Sequence, residues 1–515
     1  MQTELTANVP WQQLSDLIAR RIGLHFPPER YADLQRGLVG AATEFGFEDA
    51  SACAGWLLST GLTRPQLQTL AGHLTIGETY FFRERKAFDA LTATILPELV
   101  RRRGQDRHLR LWSAACCTGE EAYSLSILLQ ECLPDLKDWR ITILATDINE
   151  RFLQKAAAGI YGEWSFRDSP DAFKSRYFTR TPEGRFALLP QIKERVTFMP
   201  LNLAEDILPS LATEAHAMDI IFCRNVLMYF TPEQARKVVD NLHRVLLDGG
   251  WLIVSPSEGS HSLFSGFTQV NLSGALLYQK RSAAAVEPVK SWATQSIDPA
   301  PTMTRGAPAS VEPFASWLKQ QPLKQPATAA EIPASATAPT QAAPESVQST
   351  ARTIAASAYK DGRYAEAAEL LLRALESNAT GEPQTFAMLA RAFANQGKLK
   401  EARSWCERWI ASDPLDPTGR YLHAVILQEL GDAQQAHRSL QQALYLNPDF
   451  VLAHVGLGNL ARSTGKPLQS GRHFANALSL LDKCEPEDLL PESEGLTAGR
   501  LREILTSLLA LEAAS

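Results

Sequence analysis

Apolar residues in the first 74 positions recur at helical spacing. In the segment WQQLSDLIARRIG, Trp11, Leu14, Leu17, Ile18 and Ile22 fall on one side of a helix with 3.6 residues per turn. The segments YADLQRGLVGAATEFG and SACAGWLLST, and residues 64–74, also have helical patterns. These patterns predict a small all-α domain over residues 1–75.

From about residue 75 to 280, short apolar runs alternate with amphipathic segments. The predicted strands are 107–114, 141–147, 196–202, 218–225 and 249–256. The predicted helices between them are EEAYSLSILLQECL, INERFLQKAAAG and TPEQARKVVDNLHRVLL. Strands that alternate with helices indicate parallel βαβ units and a doubly wound α/β domain over residues 76–282. The closing segment FTQVNLSGALLYQK has the pattern of a hairpin at the sheet edge.

Two local signals predict where the helix in TPEQARKVVDNLHRVLL begins and ends. Thr231 and Pro232 are a favourable N-cap and first helical residue. Gly249 and Gly250 are expected to end the helix before the following strand.

Residues 283–350 are rich in Ala, Pro, Thr and Ser, and they read as an extended or disordered linker because such a segment buries little apolar surface. A repeat follows over residues 351–484. Its first glycines are Gly362, Gly397, Gly431 and Gly465, at intervals of 35, 34 and 34 residues. A helix-turn-helix period of this length, with small residues such as Ala402 where the helices cross, is the tetratricopeptide signature. Residues 485–515 are predicted to form a capping helix.

Charge and cysteine usage narrow the classes of function. The 515 residues carry a net charge of −6, whereas a general nucleic-acid binder normally has a basic surplus. The seven cysteines lack the CxxC or Cys/His spacing of a metal site, so reduced thiols in a cytoplasmic protein are expected, with no metal. The N-terminus does not resemble a signal peptide, and no apolar run approaches the ~18 residues of a membrane span, so no membrane insertion is expected.

The segment 113–121 is the strongest candidate ligand loop. A strand ends at Trp112–Ser113, small residues follow through Gly119, and a helix opens with Glu120 and Glu121. Small residues at the carboxyl edge of a parallel sheet let a backbone approach a ligand closely. The loop lacks GxxxxGK[ST], and two carboxylates would repel a phosphate and suit a cationic ligand. Alternatively, the glutamates only compensate the charge of the helix N-terminus.

Polar residues end three further strands at the same edge. Asp147 can accept hydrogen bonds from both ribose hydroxyls of an adenosyl ligand. Asn202 and Asn225 can bond to adenine or to the amino-acid end of a ligand, and Tyr229 would face the same cleft. Taken singly, each Asp or Asn can equally be a turn residue.

The blocks GETYFFRE, LWSAACCTGEEAYS, ATDI, LNL, IFCRNVLMYF and PSE resemble, in order and spacing, the CheR-type chemoreceptor glutamate O-methyltransferases. The resemblance covers residues ~10–280. It implies a helical N-terminal domain, a class I methyltransferase domain that uses S-adenosyl-L-methionine and releases S-adenosyl-L-homocysteine, and an inserted β-subdomain at about 163–195. The cofactor contacts that it implies are Thr79, Arg83, Glu120, Asp147, Asn202, Leu203, Arg224 and Asn225.

The resemblance also implies the residues that orient the acceptor carboxylate. These are Tyr229 and an arginine on the helix after the GETYFFRE block, for which Arg103 is the choice from the run 101–103. The alternative for that run is a solvated basic face. The family motif usually begins with Asn where this chain has Gly77, so one cofactor contact is expected to be lost or replaced by water.

The resemblance implies methyl-ester formation on glutamates of the cytoplasmic helices of methyl-accepting chemoreceptors, but two departures predict a specialised member. The second N-terminal helix offers only Arg30 and Arg36, and the loop RTPEGRF is short, so no receptor pentapeptide is expected to bind. The repeats would bind an unknown protein or peptide, oligomerise, or inhibit the catalytic domain. Surface sensing or biofilm control is the expected pathway, and the alternative function is a non-catalytic repeat scaffold with a degenerate methyltransferase fold.

Overall fold

The computed structural model describes residues 9–60, 62–133, 135–169, 171–205, 208, 215–272, 274–281, 344–376, 382–493 and 495–514. The four predicted N-terminal helices are α1 (Trp11–Ile22), α2 (Tyr31–Glu44), α3 (Ala50–Ser59) and α4 (Arg64–Leu74). Their apolar stripes close one core around Leu14, Leu34, Leu57 and Leu70. The all-α N-terminal domain is thus confirmed.

The second domain is built on a seven-stranded sheet. Its elements are α5 (Arg85–Ala90), a short π-helix (Leu91–Ile95), α6 (Leu96–Arg102), β1 (His108–Ala114), α7 (Glu120–Cys132), β2 (Arg140–Asp147), α8 (Glu150–Ala158), β6 (Val196–Pro200), β7 (Met218–Cys223), α11 (Pro232–Val245), β8 (Leu246–Ile253), β9 (Phe267–Leu272) and β10 (Ala275–Lys280). The strand order is β6-β2-β1-β7-β8-β10-β9, and β10 runs antiparallel to both of its neighbours, β8 and β9. The doubly wound sheet and its edge hairpin are confirmed.

A small subdomain lies between α8 and β6. It comprises β3 (Ile160–Tyr161), α9 (Asp171–Tyr177), β4 (Phe178–Arg180), β5 (Phe186–Leu188) and α10 (Pro190–Lys193), and its antiparallel strand order is β3-β5-β4. Against a predicted start at about residue 163, the subdomain begins at Ile160, because Ile160 and Tyr161 pair with β5.

Thr231 caps α11 as predicted, since its hydroxyl accepts a hydrogen bond from the Gln234 amide. The prediction for Gly249 and Gly250 was wrong. The helix ends at Val245, and both glycines lie inside β8, whose pairing with β7 shifts register there. Gly249 has φ 73°, a conformation that glycine adopts without strain, so the pair makes an irregularity in a strand rather than a helix end.

The repeats form four helix pairs, α12 (Pro344–Lys360) with α13 (Tyr364–Glu376), α14 (Pro383–Asn395) with α15 (Leu399–Ser412), α16 (Pro417–Glu429) with α17 (Ala433–Leu446), and α18 (Val451–Ser463) with α19 (Pro467–Leu481). Each repeat glycine lies in the turn of its pair with positive φ. The helix α20 (Ala498–Ala514) follows. The helix α12 begins inside the predicted linker, and the remainder of that prediction, residues 283–343, lies outside the described residues.

The repeats dock on the amino ends of the parallel strands. Arg110 of β1 forms an ion pair with Glu429 at the end of α16, and the turn at Gly397 lies against Arg103. The helix α20 packs on α8 and β6, where Arg500 donates to the Pro200 carbonyl oxygen at 3.2 Å. The carboxyl ends of the strands, where such folds bind ligands, therefore lie on the opposite side from the repeat turns.

Candidate functional site

A cleft of about 1060 Å³, including its open mouth, lies at the carboxyl ends of β1, β2, β6 and β7. Its lining includes Thr79, Arg83, Asp147, Asn202, Leu203, Arg224, Asn225 and Tyr229. The structure therefore brings together eight of the ten residues that the sequence analysis singled out as site residues. Glu120 and Arg103 lie elsewhere.

The loop after β1 presents backbone rather than bulky side chains to the cleft. Ala115 and Cys117 have φ of 61° and 51°, and Gly119 has φ of 90°. A Cβ at Gly119 would lie 2.8 Å from the Cβ of Ala156 on α8, so this position requires glycine. The tight fit fixes the loop against α8, with Ala115, Cys116 and Cys117 lining the cleft.

Asp147 is buried at the end of β2 and joins this loop to the next one. Its Oδ2 accepts a hydrogen bond from the Cys117 amide at 2.9 Å, and its Oδ1 accepts one from the Asn149 amide at 2.8 Å. Burial raises the pKa of Asp147 to about 6, although hydrogen bonds from the Asn149, Cys117 and Ile148 amides oppose the shift. A carboxylate held in this way is a pre-oriented acceptor.

The two glutamates at the start of α7 point in different directions. Glu121 lines the cleft, accepts from the Ser113 hydroxyl at 2.7 Å and pairs with Arg224 at 3.2 Å. Glu120 is turned toward the β-subdomain, where it accepts hydrogen bonds from Thr118 and Ser165 at 2.7 and 2.9 Å. In this structure Glu121, and not the predicted Glu120, is among the residues that line the cleft. The sequence alone could not show which of these two adjacent carboxylates faces the cleft. Glu120 is bound by Ser165 of the subdomain, and that contact depends on the tertiary fold.

Arg224 is almost fully buried and organises one wall of the cleft. It pairs with Glu84 at 2.9 Å and with Glu121, and it donates to the Arg83 carbonyl oxygen at 2.6 Å. Its Nε is buried without a hydrogen-bond partner in the described structure. Burial raises the pKa of Glu121, and the Arg224 guanidinium opposes that rise.

Glu258, in the PSE block, holds the loop after β7. Its carboxylate accepts from the amides of Asn225 at 2.8 Å and Val226 at 2.7 Å, and from that of Ser255 at 3.0 Å. Asn225 sits at φ 58°, which costs free energy for a residue with a side chain. The PSE block by itself predicts no role for Glu258, because the Asn225 and Val226 amides that it holds are more than 30 residues away in the chain.

The N-terminal domain forms part of the same cleft. His25, Phe26 and Arg30 line it, and the His25 amide donates to the Tyr229 carbonyl oxygen at 2.8 Å. The Asn202 side chain donates to the Arg21 carbonyl oxygen at 2.7 Å. Sequence reasoning missed these cleft residues, since their spacing shows only a turn between α1 and α2.

Gly77 lies directly against Phe152, another cleft residue. A Cβ at Gly77 would be 2.6 Å from Cζ of the Phe152 ring, which is closer than real Cβ contacts. The missing side chain at Gly77, where the family motif usually has Asn, therefore leaves room for the Phe152 ring beside the cleft.

Arg103 does not reach the cleft. Its Nε pairs with buried Asp219 at 2.9 Å near the amino end of β7, next to the repeat turn at Gly397. The prediction that Arg103 lies near the methyl-transfer site is corrected, because Arg103 follows the end of α6 at Arg102 and its side chain pairs with Asp219 at the other edge of the sheet. The alternative of a solvated basic face is also wrong for this residue.

Comparison with known proteins places the cleft within a described family. Residues 77–273 match the model described as CheR methyltransferase, SAM binding domain, and residues 352–417 and 421–478 match a tetratricopeptide repeat model. None of the described helices is both long and apolar enough to cross a membrane.

Three relatives show how far the similarity extends. Chemotaxis protein methyltransferase 1 of Pseudomonas aeruginosa is 37% identical over 214 residues, which are 40% of this chain and 75% of the relative. Chemotaxis protein methyltransferase 2 of Vibrio cholerae is 36% identical over 202 residues, 39% of this chain and 69% of the relative. The probable biofilm formation methyltransferase WspC of Pseudomonas aeruginosa is 26% identical over 460 residues, 87% of this chain and 94% of the relative.

Proposed function

The chain belongs to the CheR methyltransferase family, and we propose that it esterifies glutamate side chains on the cytoplasmic helices of chemoreceptor-type proteins. The protein is an S-adenosylmethionine-dependent methyltransferase. The single observation that carries the proposed reaction is the cleft itself. It joins Asp147, Glu121, Arg224 and Tyr229 at one sheet edge, inside the segment that the family model matches.

The donor set of the cleft fits the cofactor. S-Adenosylmethionine is an adenosine with a cationic sulfonium and an amino-acid end, and it supplies the methyl group. In our proposal Asp147 accepts from the ribose hydroxyls, Glu121 and Arg224 hold the amino-acid end, and Asn202 and Leu203 hold the adenine. Thr79, Arg83 and Asn225 complete the contacts. Because the side chains of loop 114–119 are small, the ligand can approach the backbone of this loop closely.

The residues of the chain need only bind, orient and exclude water. A glutamate acceptor is already ionised at pH 7, so no general base is required. S-Adenosylmethionine, when bound, would supply the methyl group: the acceptor oxygen would bond to the methyl carbon while the carbon–sulfur bond breaks and its electron pair goes to sulfur. A cleft that removes water from both opposite charges would favour this transfer, because the charges vanish during the reaction. In this proposal Tyr229, which lines the cleft, orients the acceptor carboxylate.

Target selection in this proposal does not use a receptor pentapeptide. The hairpin between β4 and β5 is closed by a hydrogen bond from the Thr181 amide to the Arg185 carbonyl oxygen at 2.8 Å, which leaves a short, tight loop. Arg30 and Arg36 share one acidic neighbour, Asp33, so the basic charge near α2 is partly neutralised. Calorimetry with a receptor C-terminal pentapeptide should give no micromolar binding, and a micromolar Kd would contradict this part.

The repeats are proposed to bind a protein or peptide partner, which would raise the effective concentration of the catalytic domain near its target. No residue lining the cleft comes from the described repeats, so the array leaves the cleft mouth free in this arrangement. The relative named as a biofilm formation methyltransferase matches most of this chain, repeats included, which supports a surface-sensing or biofilm pathway. A cytoplasmic location is part of the proposal, because the receptor helices to be modified lie in the cytoplasm.

The proposal is tested at two levels. Asp147→Ala should abolish measurable S-adenosylmethionine binding in calorimetry, and wild-type affinity would refute the role of Asp147. Glu121→Gln should weaken binding strongly, whereas the adjacent Glu120→Gln serves as the matched control and should weaken it little. Mass spectrometry of receptors from cells with and without the protein should find glutamate methyl esters only when it is present. Their absence would favour the alternative of a non-catalytic scaffold.

A further inference from the structure

With Arg103 held at the opposite edge of the sheet, the cleft needs another cation to meet an acceptor carboxylate. Three arginines line it, namely Arg30, Arg83 and Arg224. Arg224 is occupied by Glu84, Glu121 and a backbone carbonyl oxygen, and Arg83 is assigned to the cofactor in the function proposed above. Resting on the function proposed above, we infer that Arg30 of the N-terminal domain is the residue that positions the acceptor carboxylate.

The geometry around Arg30 supports this assignment. Its guanidinium carbon lies 5.5 Å from the centroid of the Tyr229 ring and 5.2 Å from that of Phe26. Its ion pair with Asp33 uses Nε, at 3.1 Å, and in the described residues no hydrogen bond uses its two terminal amino groups. The side chain lines the cleft and is 30% exposed, so it is accessible to a ligand. The planar guanidinium presents those amino groups for a carboxylate.

The backbone fixes Arg30 relative to Tyr229. The His25 amide donates to the Tyr229 carbonyl oxygen, while the Phe26 amide and carbonyl oxygen bond to the Ser15 hydroxyl at 3.1 and 2.7 Å. Phe26 is buried, and Pro27 and Pro28 restrict the chain that leads to Arg30. Arg30 and Tyr229 therefore lie against each other at the cleft, one from each domain. A carboxylate bound there would place one oxygen on Arg30 and leave the other for the methyl carbon.

Arg36 provides a matched control. It pairs with the same Asp33 carboxylate, but it is 69% exposed and does not line the cleft. A purely structural role for Arg30 would act through Asp33, so Asp33→Asn separates the two explanations. If Arg30 only anchors the turn, Asp33→Asn should reproduce the defect of an Arg30 variant. If Arg30 binds the acceptor, Asp33→Asn should retain activity.

The test measures methyl transfer from labelled S-adenosylmethionine to receptor-bearing membranes of the producing cells, with the full-length chain. Arg30→Gln should lower kcat/KM by roughly 10- to 100-fold, the effect of losing one charge-assisted contact, while the Kd for S-adenosylmethionine changes less than about twofold. Arg30→Lys should recover part of the loss. Arg36→Gln and Asp33→Asn should stay within about threefold of wild type.

The outcomes separate this inference from the function on which it rests. If the wild type transfers no methyl group to the membranes, the proposed function fails and the inference fails with it. If the wild type is active and Arg30→Gln is equally active, the inference alone is overturned. It is also overturned if Asp33→Asn or Arg36→Gln shows the same loss as Arg30→Gln, or if cofactor affinity falls in parallel with activity.

Discussion

The guanidinium of Arg110 on the first strand of the sheet forms an ion pair with the carboxylate of Glu429 in the third repeat. Arg110 is buried, the Glu429 side chain is 16% exposed, and His108 and His216 lie within 4 Å of the same carboxylate. Although burial opposes it, Arg110 and the two histidines lower the pKa of Glu429 well below its usual range. The repeats and the catalytic domain are thus joined by a buried charge cluster.

Removing the negative charge from this cluster should loosen the domain interface. Glu429→Gln removes the charge that pairs with buried Arg110, and breaking a buried ion pair typically costs about 3–5 kcal/mol. We expect a lower midpoint in differential scanning calorimetry and faster proteolysis between the domains. Glu407→Gln, which breaks the exposed pair with Arg403, is the control and should change the midpoint little. Equal effects of the two variants would show that the buried pair does not hold the interface.

Cofactor affinity should fall as the pH is lowered through about 6. The pKa of Asp147 is about 6, and only its ionised form can accept from both ribose hydroxyls. Because this pKa is raised above that of the unfolded chain, Asp147 costs stability at pH 7, and the cost is relieved as the pH falls through 6. Loss of affinity would therefore not reflect unfolding caused by this group. Calorimetry from pH 5 to 8 tests this, and Asp147→Asn should bind weakly with no step near pH 6.

A side chain at Gly77 should disturb the cleft through Phe152. Gly77→Asn, which restores the family residue, forces the Phe152 ring to move, and overpacking of this kind typically costs about 1–3 kcal/mol. We expect weaker S-adenosylmethionine binding by calorimetry, with recovery in the double variant Gly77→Asn/Phe152→Leu. Gly55→Ala is the control, since a Cβ there has no neighbour within 4 Å. Tighter binding by Gly77→Asn alone would contradict the steric argument.

The loop that carries Asn225 and Tyr229 should depend on Glu258. Glu258→Gln replaces one acceptor oxygen with an amino group that faces backbone amides, and it removes the charge that strengthens the remaining bonds. Loss of such contacts costs about 2–3 kcal/mol, which should appear as weaker cofactor binding and a lower kcat. Glu233→Gln on the exposed side of α11 should leave both unchanged. Wild-type kinetics for Glu258→Gln would mean that the loop is held by other contacts.

Local sequence patterns were enough to predict the helices and strands of this protein and most of the residues that line its main cleft. Helical spacing defined α1 to α4, alternating apolar runs defined the sheet, and the repeat glycines defined the helix pairs, because each of these patterns is local. Asp147, Asn202 and Asn225 could be expected at one edge, since the carboxyl ends of parallel strands meet there.

Which of several neighbouring residues faces the cleft depends instead on how the domains pack together. Glu121 rather than Glu120 lines it, because a subdomain inserted 40 residues later along the chain supplies Ser165 to Glu120. Arg103 pairs with Asp219, while Arg30 reaches Tyr229 from another domain. These choices depend on contacts between residues far apart in the chain, and local periodicity carries no information about such contacts.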